Sequence, residues 1–165
     1  MNKHIVIVTI IVAMATAASA QTAMQPTEPY YSYQAQGSGS TYYTGANGSS
    51  AGRTTTSGNN AYHYNENGSL AGRSTKSGNT TYHYSANGSS TGRSQTTSNG
   101  TTYHYHANGS SAGRSTTNGN TTYHYHANGS SAGRSVTSGN TTYHYDAKGR
   151  LVGTSRAPSG TQGGK

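Results

Sequence analysis

The residues with the most chemical potential in this sequence are histidines, which recur in the phrase Tyr-His-Tyr. Two copies extend to His-x-His, with His104 and His106 in one and His124 and His126 in the next. Residues i and i+2 share a face of a strand, so each pair could chelate an ion such as zinc. Single histidines in neighbouring hairpins would lie about 10 Å apart, too far to share one ion. Because Asp and Glu total only 3, we expect no metal and no other cofactor, and a solvent-exposed histidine row.

The sequence offers little material for catalysis. It has no cysteine, and its acidic residues are Glu28, Glu66 and Asp146. Paired carboxylates and a thiol nucleophile are therefore not predicted, and the glycines recur at turn positions instead of forming a phosphate-binding loop. Serines are abundant but lack an acidic partner. We expect that the protein is not an enzyme.

One arginine recurs in each repeat, and these arginines are the candidate ligand-binding residues. With Lys+Arg 11 against Asp+Glu 3, the formal charge is +8, so a ladder of arginines could bind an anionic polymer of the cell envelope or a glycan. The structural alternative is cation–π packing of each guanidinium on the first tyrosine of its repeat. The residues are Arg53, Arg73, Arg93, Arg114 and Arg134.

These residues belong to a tandem repeat. Its phrase is Tyr-His-Tyr, three residues, Gly, three residues and Gly-Arg, although the last copy ends in Gly-Thr. A fixed period of this length is typical of arrays in which each repeat is one supersecondary unit. The copies follow one another in steps of 20 or 21 residues and start at Tyr62, Tyr82, Tyr103, Tyr123 and Tyr143.

Each repeat predicts a β-hairpin. Thr-Thr-Tyr-His-Tyr is a run of strand-forming residues, and the Asn-Gly that follows is a strong hairpin-turn signal. A two-residue turn at Asn87-Gly88 would place Tyr82 opposite Arg93 and Tyr84 opposite Thr91. Tyrosines and arginines then share one face of the sheet, and histidines, serines and glycines share the other.

The composition predicts which face forms the core. The chain has 15 tyrosines and neither tryptophan nor phenylalanine, so we expect the tyrosine face to be buried. One repeat cannot bury enough surface to fold alone, and a closed sheet has no exposed edges. The predicted fold class is all-β, with about six tandem β-hairpins forming a curved or closed antiparallel meander over residues 41–155.

The N-terminal 20 residues are predicted to be a secretory signal. Lys3 precedes an apolar run, and the small residues before Gln21 predict cleavage between Ala20 and Gln21. Residues 21–40 are expected to form a flexible linker and residues 156–165 a flexible tail. After signal removal, no segment is long enough to span a membrane. We therefore expect a periplasmic or secreted protein that meets no intracellular nucleic acid.

The last repeat resembles the YD repeat of Rhs-type proteins. Residues 143–151 read Tyr-His-Tyr-Asp-Ala-Lys-Gly-Arg-Leu, and the family phrase is Tyr-x-Tyr-Asp-x-x-Gly-Arg-Leu. The other repeats match in part, because the Asp position holds Asn65, Ser85, His106 and His126. The resemblance spans roughly residues 42–155 and implies a curling antiparallel sheet, as in the hollow shells of large secreted toxins. This chain is far too short for such a shell and looks like a small stand-alone exported relative.

The sequence predicts a non-enzymatic exported repeat protein that acts as a structural or binding module of the cell envelope. In one alternative, it binds anionic polymers or carbohydrate through its rows of arginine and tyrosine. In another, it self-associates as a surface or fibre subunit, because the end hairpins of an open sheet could pair edge to edge.

Overall fold

The computed structural model describes residues 6–10, 30–34 and 39–157. Within these ranges, no helix has the length and apolar character that crossing a bilayer requires. The strands are β1 (Val6–Ile10), β2 (Tyr30–Gln34), β3 (Gly39–Gly45), β4 (Ser50–Ser57), β5 (Asn60–Tyr64), β6 (Leu70–Ser77), β7 (Thr80–Ser85), β8 (Ser90–Thr96), β9 (Thr101–His106), β10 (Ser111–Asn118), β11 (Thr121–His126), β12 (Ser131–Ser138), β13 (Thr141–Asp146) and β14 (Leu151–Arg156).

Strands β3 to β14 form one closed antiparallel barrel of twelve strands. Each strand pairs with its neighbours in sequence, and β14 pairs with β3, placing Ser155 opposite Tyr43. The predicted all-β hairpin meander is therefore confirmed, and the sheet closes within a single chain. Closure gives every barrel strand a partner on both edges.

Successive repeats are staggered by a constant step. Arg93 pairs with Tyr82, and Tyr82 pairs with Thr75, two residues beyond Arg73. The same step recurs around the barrel, including the closing pair of strands, where Arg156 lies opposite Tyr42. Six steps of two residues accumulate to a stagger of twelve. Stagger of this kind tilts the strands by about 35–45° from the axis, as closure requires.

The Asn-Gly sequences form the predicted hairpin turns. In one of them, Gly88 N–H donates to the Ser85 carbonyl at 2.9 Å, and Ser85 N–H donates to the Ser89 carbonyl at 3.0 Å. Gly88 has a φ of 85°, which glycine adopts without strain. The loop is thus three residues long, Ala86 to Gly88, and not the two-residue loop assumed from the sequence.

A β-bulge follows the turn. Tyr84 pairs with Ser90, so the predicted pairing with Thr91 is wrong and Thr91 is the extra residue. Gly92, at a φ of 150°, restores the register on the far side of the bulge. A Cβ added there would lie 2.1 Å from the carbonyl oxygen of Tyr105 on the next strand. The glycine of the repeat therefore permits a close approach of two strands.

The interior of the barrel is lined by the face that was predicted to lie in solvent. His83 and Ser94 are 4 % and 3 % exposed, whereas Tyr82 is 42 % exposed. Among the tyrosines of residues 39–157, Tyr43 is the buried one. The predictions of a tyrosine core and of a solvated histidine row are wrong. The reason is that the small polar residues and histidines satisfy one another's hydrogen bonds inside, as described below, so the bulkier tyrosines can remain outside.

Strands β1 and β2 pair with each other, from Val6 opposite Gln34 to Ile10 opposite Tyr30. Strand β1 contacts β9, and β2 contacts β4. Strand β1 belongs to the segment predicted as a signal, and β2 lies within the predicted linker. The predicted cleavage site between Ala20 and Gln21 lies outside the described residues, as do residues 158–165 of the predicted tail.

Candidate functional site

The barrel interior contains a continuous belt of hydrogen-bonded side chains, one from each barrel strand. Histidines alternate with serines, and a tyrosine and a threonine occupy the first two places. We call this set the histidine belt. In order from β3 to β14, its members are Tyr43, Thr54, His63, Ser74, His83, Ser94, His104, Ser115, His124, Ser135, His144 and Ser155.

Each histidine of the belt uses both of its ring nitrogens. His104 Nδ1 lies 2.9 Å from Ser94 Oγ, and His104 Nε2 lies 3.0 Å from Ser115 Oγ. The other four histidines have hydroxyl partners at 2.9–3.1 Å. A neutral imidazole has one donor and one acceptor nitrogen, so these contacts satisfy it fully.

The hydrogen bonds of the belt run in one direction. The Tyr43 hydroxyl donates to Thr54 Oγ1 at 3.0 Å, which leaves the Thr54 proton available for Nδ1 of His63, 2.9 Å away. His63 then carries its proton on Nε2 and donates to Ser74. Repeating this arrangement satisfies every link as far as Ser155. This direction predicts that the belt histidines are Nε2–H tautomers.

Burial keeps the belt histidines neutral. It lowers the pKa of His63, His104 and His144 from 6.5 to about 4. For His83 and His124, burial lowers the pKa to about 3, and repulsion from the neighbouring belt histidines adds to the effect. Both causes disfavour the charged imidazolium. None of the belt's twelve members is a carboxylate that could stabilise it.

A serine hydroxyl beside a histidine can be a catalytic nucleophile, but the belt has the wrong surroundings for this role. Ser115 contacts two histidines, His104 at 3.0 Å and His124 at 2.9 Å, and it is only 4 % exposed. A substrate could reach it only if the barrel opened. The arrangement instead links each strand to the next by side chains as well as by backbone hydrogen bonds.

The structure separates the two His-x-His pairs that were considered for metal binding. His104 and His124 belong to the belt, with both nitrogens occupied by serines. His106 and His126 lie at the turns, where their backbone N–H groups donate to Ser110 and Ser130 carbonyls at 2.9 Å. Chelation by either pair would break the belt. Within the described ranges, no three metal-binding side chains converge on one point.

The outside of the barrel carries five arginine–tyrosine pairs. In each pair, the guanidinium carbon lies 4.3–4.7 Å from the centre of the ring. We call these pairs the arginine–tyrosine rows. They are Arg53–Tyr64, Arg73–Tyr84, Arg93–Tyr105, Arg114–Tyr125 and Arg134–Tyr145.

The arginines cover a different ring from the one expected. Arg93 pairs with Tyr82 in register, as predicted, but its guanidinium lies over Tyr105 of the following repeat. Tyr105 lies directly opposite Arg93 on its other side, on β9. Each arginine is thus flanked by two tyrosines, and the first tyrosine of its own hairpin keeps an uncovered ring.

The rows are basic, and within the described ranges their arginines form no ion pair with an acidic residue. Arg93, Arg114 and Arg134 are exposed, and the other two row arginines are half-buried. The ion pair found in the described part of the chain joins Arg150 Nε to Asp146 Oδ2 at 2.7 Å, away from the rows. The row arginines therefore present charge that no carboxylate of the described residues neutralises.

This ion pair holds the turn that matches the YD phrase, whereas the turns of other repeats are held by different side chains. Asp146 Oδ1 accepts hydrogen bonds from the backbone N–H groups of Lys148 and Arg150, at 2.9 Å each, and this bonding, with the Arg150 ion pair, lowers the pKa of Asp146. In another repeat, Asn108 Oδ1 accepts from the N–H and hydroxyl of Ser110 at 3.0 and 2.7 Å. An Asn–Ser pair therefore replaces the Asp–Arg pair in holding the turn.

The histidine belt was missed from the sequence, although the pattern contains a signal for it. In each of the five hairpins that contain Tyr-His-Tyr, one histidine and one serine share the face that carries glycine, for example His83, Gly92 and Ser94. Glycine at this position lets the next strand approach closely, because a Cβ on Gly92 would meet the carbonyl oxygen of Tyr105. Histidine and serine can each donate one hydrogen bond and accept another, so a face made of both favours a buried network over a solvated row.

Comparison with known families matches the chain to one of them. The model of the family described as Teneurin YD-shell matches residues 49–159. The matched segment contains strands β4 to β14 of the barrel. A search of curated proteins gave no match.

Proposed function

The chain belongs to the Teneurin YD-shell family, and we propose that it is an exported, non-enzymatic structural or binding module of the cell envelope. The family and the fold already indicate a structural repeat module. The observation that carries the proposal is the closed barrel, whose hydrogen-bonding side chains point inward and whose arginine–tyrosine rows point outward. Other molecules would meet a self-contained unit with a basic, aromatic exterior.

The absence of enzyme activity is proposed from the state of the belt serines. They are buried, and their hydroxyls are engaged by histidines. Treatment of the folded protein with a fluorophosphonate probe, which labels activated serines, should give no labelling. Covalent labelling of Ser115 or another belt serine in the folded protein would contradict this part of the proposal.

Export is proposed from the predicted signal. When the full chain is produced in a bacterial host, we expect the periplasm or the medium to contain a protein that begins at Gln21. N-terminal sequencing of each fraction measures this directly. An unprocessed chain that remains in the cytoplasm would contradict export and with it a role in the cell envelope.

The predicted binding of anionic polymers or carbohydrate is supported by the rows, because no carboxylate in the described part of the chain pairs with their arginines. Self-assembly into fibres has less support, since every barrel strand is paired on both edges and edge-to-edge growth would require the barrel to open. Light scattering after size exclusion separates these candidates. A monomer favours the binding module, and open-ended oligomers would favour an assembly subunit.

A further inference from the structure

We propose that the arginine–tyrosine rows form one continuous site for a linear anionic glycan that carries one carboxylate or sulfate for about every two sugar rings. The inference rests on the proposed function, because such a polymer would be met by a binding module outside the cytoplasm. It goes further by assigning the ligand class, the path of the polymer and the residues that bind it.

The first argument is the spacing of the charges. From Arg73 to Arg93, the chain crosses two strands and moves two residues along the strand direction. Those displacements are about 10 Å and about 7 Å, so the Cα atoms of successive row arginines lie about 12 Å apart. The same step relates all five, and a sixth position, Thr154, leads by the same step back to Arg53, so the arginines lie on a closed ring around the barrel. This interval is close to the length of two sugar rings.

A nucleic acid fits this interval poorly. One strand of DNA carries a phosphate for every ~3.4 Å of helix axis, so most phosphates along the line would face no arginine. The spacing therefore favours a polymer whose charges are sparse and regular.

The second argument is what lies between the arginines. Tyr82, Tyr103 and Tyr123 are 41–42 % exposed, and none of them is the ring covered by a guanidinium. A sugar ring can stack its C–H face on an aromatic ring while its hydroxyl groups stay in water, and tyrosine suits such a half-wet contact. Cations and uncovered rings thus alternate in the same order as the charged and neutral sugars of the polymer.

The third argument is charge complementarity and preorganisation. The described ranges contain nine Lys and Arg residues against two acidic ones, Glu66 and Asp146. Each row guanidinium stacks on its tyrosine by one face, which leaves its N–H edge available for a carboxylate or sulfate. The stacking also limits the arginine rotamers before binding, so less entropy is lost when the polymer binds.

The test is a titration of the protein with size-defined hyaluronan oligosaccharides, which carry one carboxylate per disaccharide. The protein contains no tryptophan, so its fluorescence comes from tyrosine, and the tyrosines of the rows and the uncovered rings between the arginines contribute to the signal. We expect affinity to rise in steps of two sugars, to level off near about ten rings for five arginines, and to fall with salt. Uncharged cellulose oligosaccharides should bind much more weakly.

Variants assign the binding to the rows. Arg114→Gln should weaken hyaluronan binding about threefold, and replacing Arg93, Arg114 and Arg134 together should weaken it by about tenfold or more, as expected for exposed ion pairs. Lys148→Gln removes one charge at a turn and is the matched control, with unchanged affinity. Tyr103→Thr, a strand-compatible change, should weaken binding without altering its salt dependence.

Several outcomes would overturn the inference. Tighter binding of oligo(dT) than of hyaluronan of equal charge would reject the glycan. An equal loss for Lys148→Gln and Arg114→Gln would reject a defined site in favour of diffuse attraction. If an exported, folded monomer binds none of the probes, the inference fails while the proposed structural module stands. Failure of the chain to be exported would instead reject the proposed function itself.

Discussion

Acid should unfold the barrel at a pH where most proteins remain folded. Burial lowers the pKa of the belt histidines to about 3 to about 4 in the folded protein, compared with the ordinary histidine value of 6.5 in the unfolded chain. Between those values, the five histidines are protonated in the unfolded chain and neutral in the folded chain. The stabilisation from the neutral belt is therefore complete above pH 6.5 and is lost progressively as the pH falls towards 4.

The size of this effect follows from the number of histidines. Each contributes a slope of about 1.4 kcal/mol per pH unit within the window, so five give about 7 kcal/mol per unit. Between pH 7 and pH 5, the free energy of unfolding should fall by about 9 kcal/mol. Domains of this kind have about 5–15 kcal/mol in total, which places the expected unfolding midpoint between about pH 4 and pH 6.

The acidic residues cannot account for such a transition. The described ranges contain Glu66 and Asp146 only, and hydrogen bonds lower the pKa of Asp146 below 3.8. Its contribution is therefore lost at lower pH than the histidine window. His104→Gln offers a test of the assignment, because glutamine keeps a donor and an acceptor but does not titrate. This variant should lose about one fifth of the pH slope.

The assay is urea unfolding followed by tyrosine fluorescence and far-UV circular dichroism at half-unit intervals from pH 8 to pH 4. The free energy of unfolding at each pH gives the slope directly. A free energy that stays constant from pH 7 to pH 5 would refute the reasoning, since five buried neutral histidines require a steep decline. An unchanged slope in His104→Gln would refute the assignment to the belt.

Three further predictions concern stability at pH 7. Ser115→Ala leaves His104 Nε2 and His124 Nδ1 without their serine partner and should cost about 3 kcal/mol, whereas Ser111→Ala at an exposed strand position should cost less than about 0.5 kcal/mol. Gly113→Ala puts a Cβ 2.2 Å from the Tyr125 carbonyl oxygen at a φ of +140° and should cost about 3 kcal/mol, whereas Gly109→Ala in open space should cost about 1 kcal/mol. Thr91→Ala removes a buried hydroxyl that has no hydrogen-bond partner in the described part of the chain. Other repeats have alanine at the equivalent position, for example Ala112. This change should stabilise the fold by about 1 kcal/mol.

Urea unfolding of each variant beside its control measures these differences. Equal losses for Ser115→Ala and Ser111→Ala would mean that the belt adds nothing to stability. Equal losses for the two glycine variants would mean that positive φ, and not the close approach of strands, determines the cost. Destabilisation by Thr91→Ala would show that the hydroxyl is satisfied by solvent.

The period and the turn chemistry made the hairpins predictable. Asn87-Gly88 marked a turn, and the pairing of Tyr82 with Arg93 followed from it. The bulge at Thr91 was not predictable in this way, because it depends on the contact of Gly92 with the next hairpin. Local patterns specify a hairpin, whereas bulges depend on how hairpins join.

Hydrophobicity alone could not predict which face of the sheet lines the interior of the barrel. Tyr82 and His83 both combine a ring with a polar group, and a two-faced sheet of such residues can close either way. Cooperative hydrogen bonding decided the outcome, because His83 finds hydroxyl partners in Ser74 and Ser94 at 2.9 Å on both neighbouring strands. Such a network forms only when several repeats are in register, so it is not apparent within any one of them.

The most direct test of the account is a long-range ¹H–¹⁵N spectrum of the histidine side chains at pH 7. The belt predicts five neutral Nε2–H imidazoles whose ring protons exchange slowly with water, because each is held by a buried serine hydroxyl. Rapidly exchanging rings in a mixture of tautomers would place these histidines in solvent and contradict the belt.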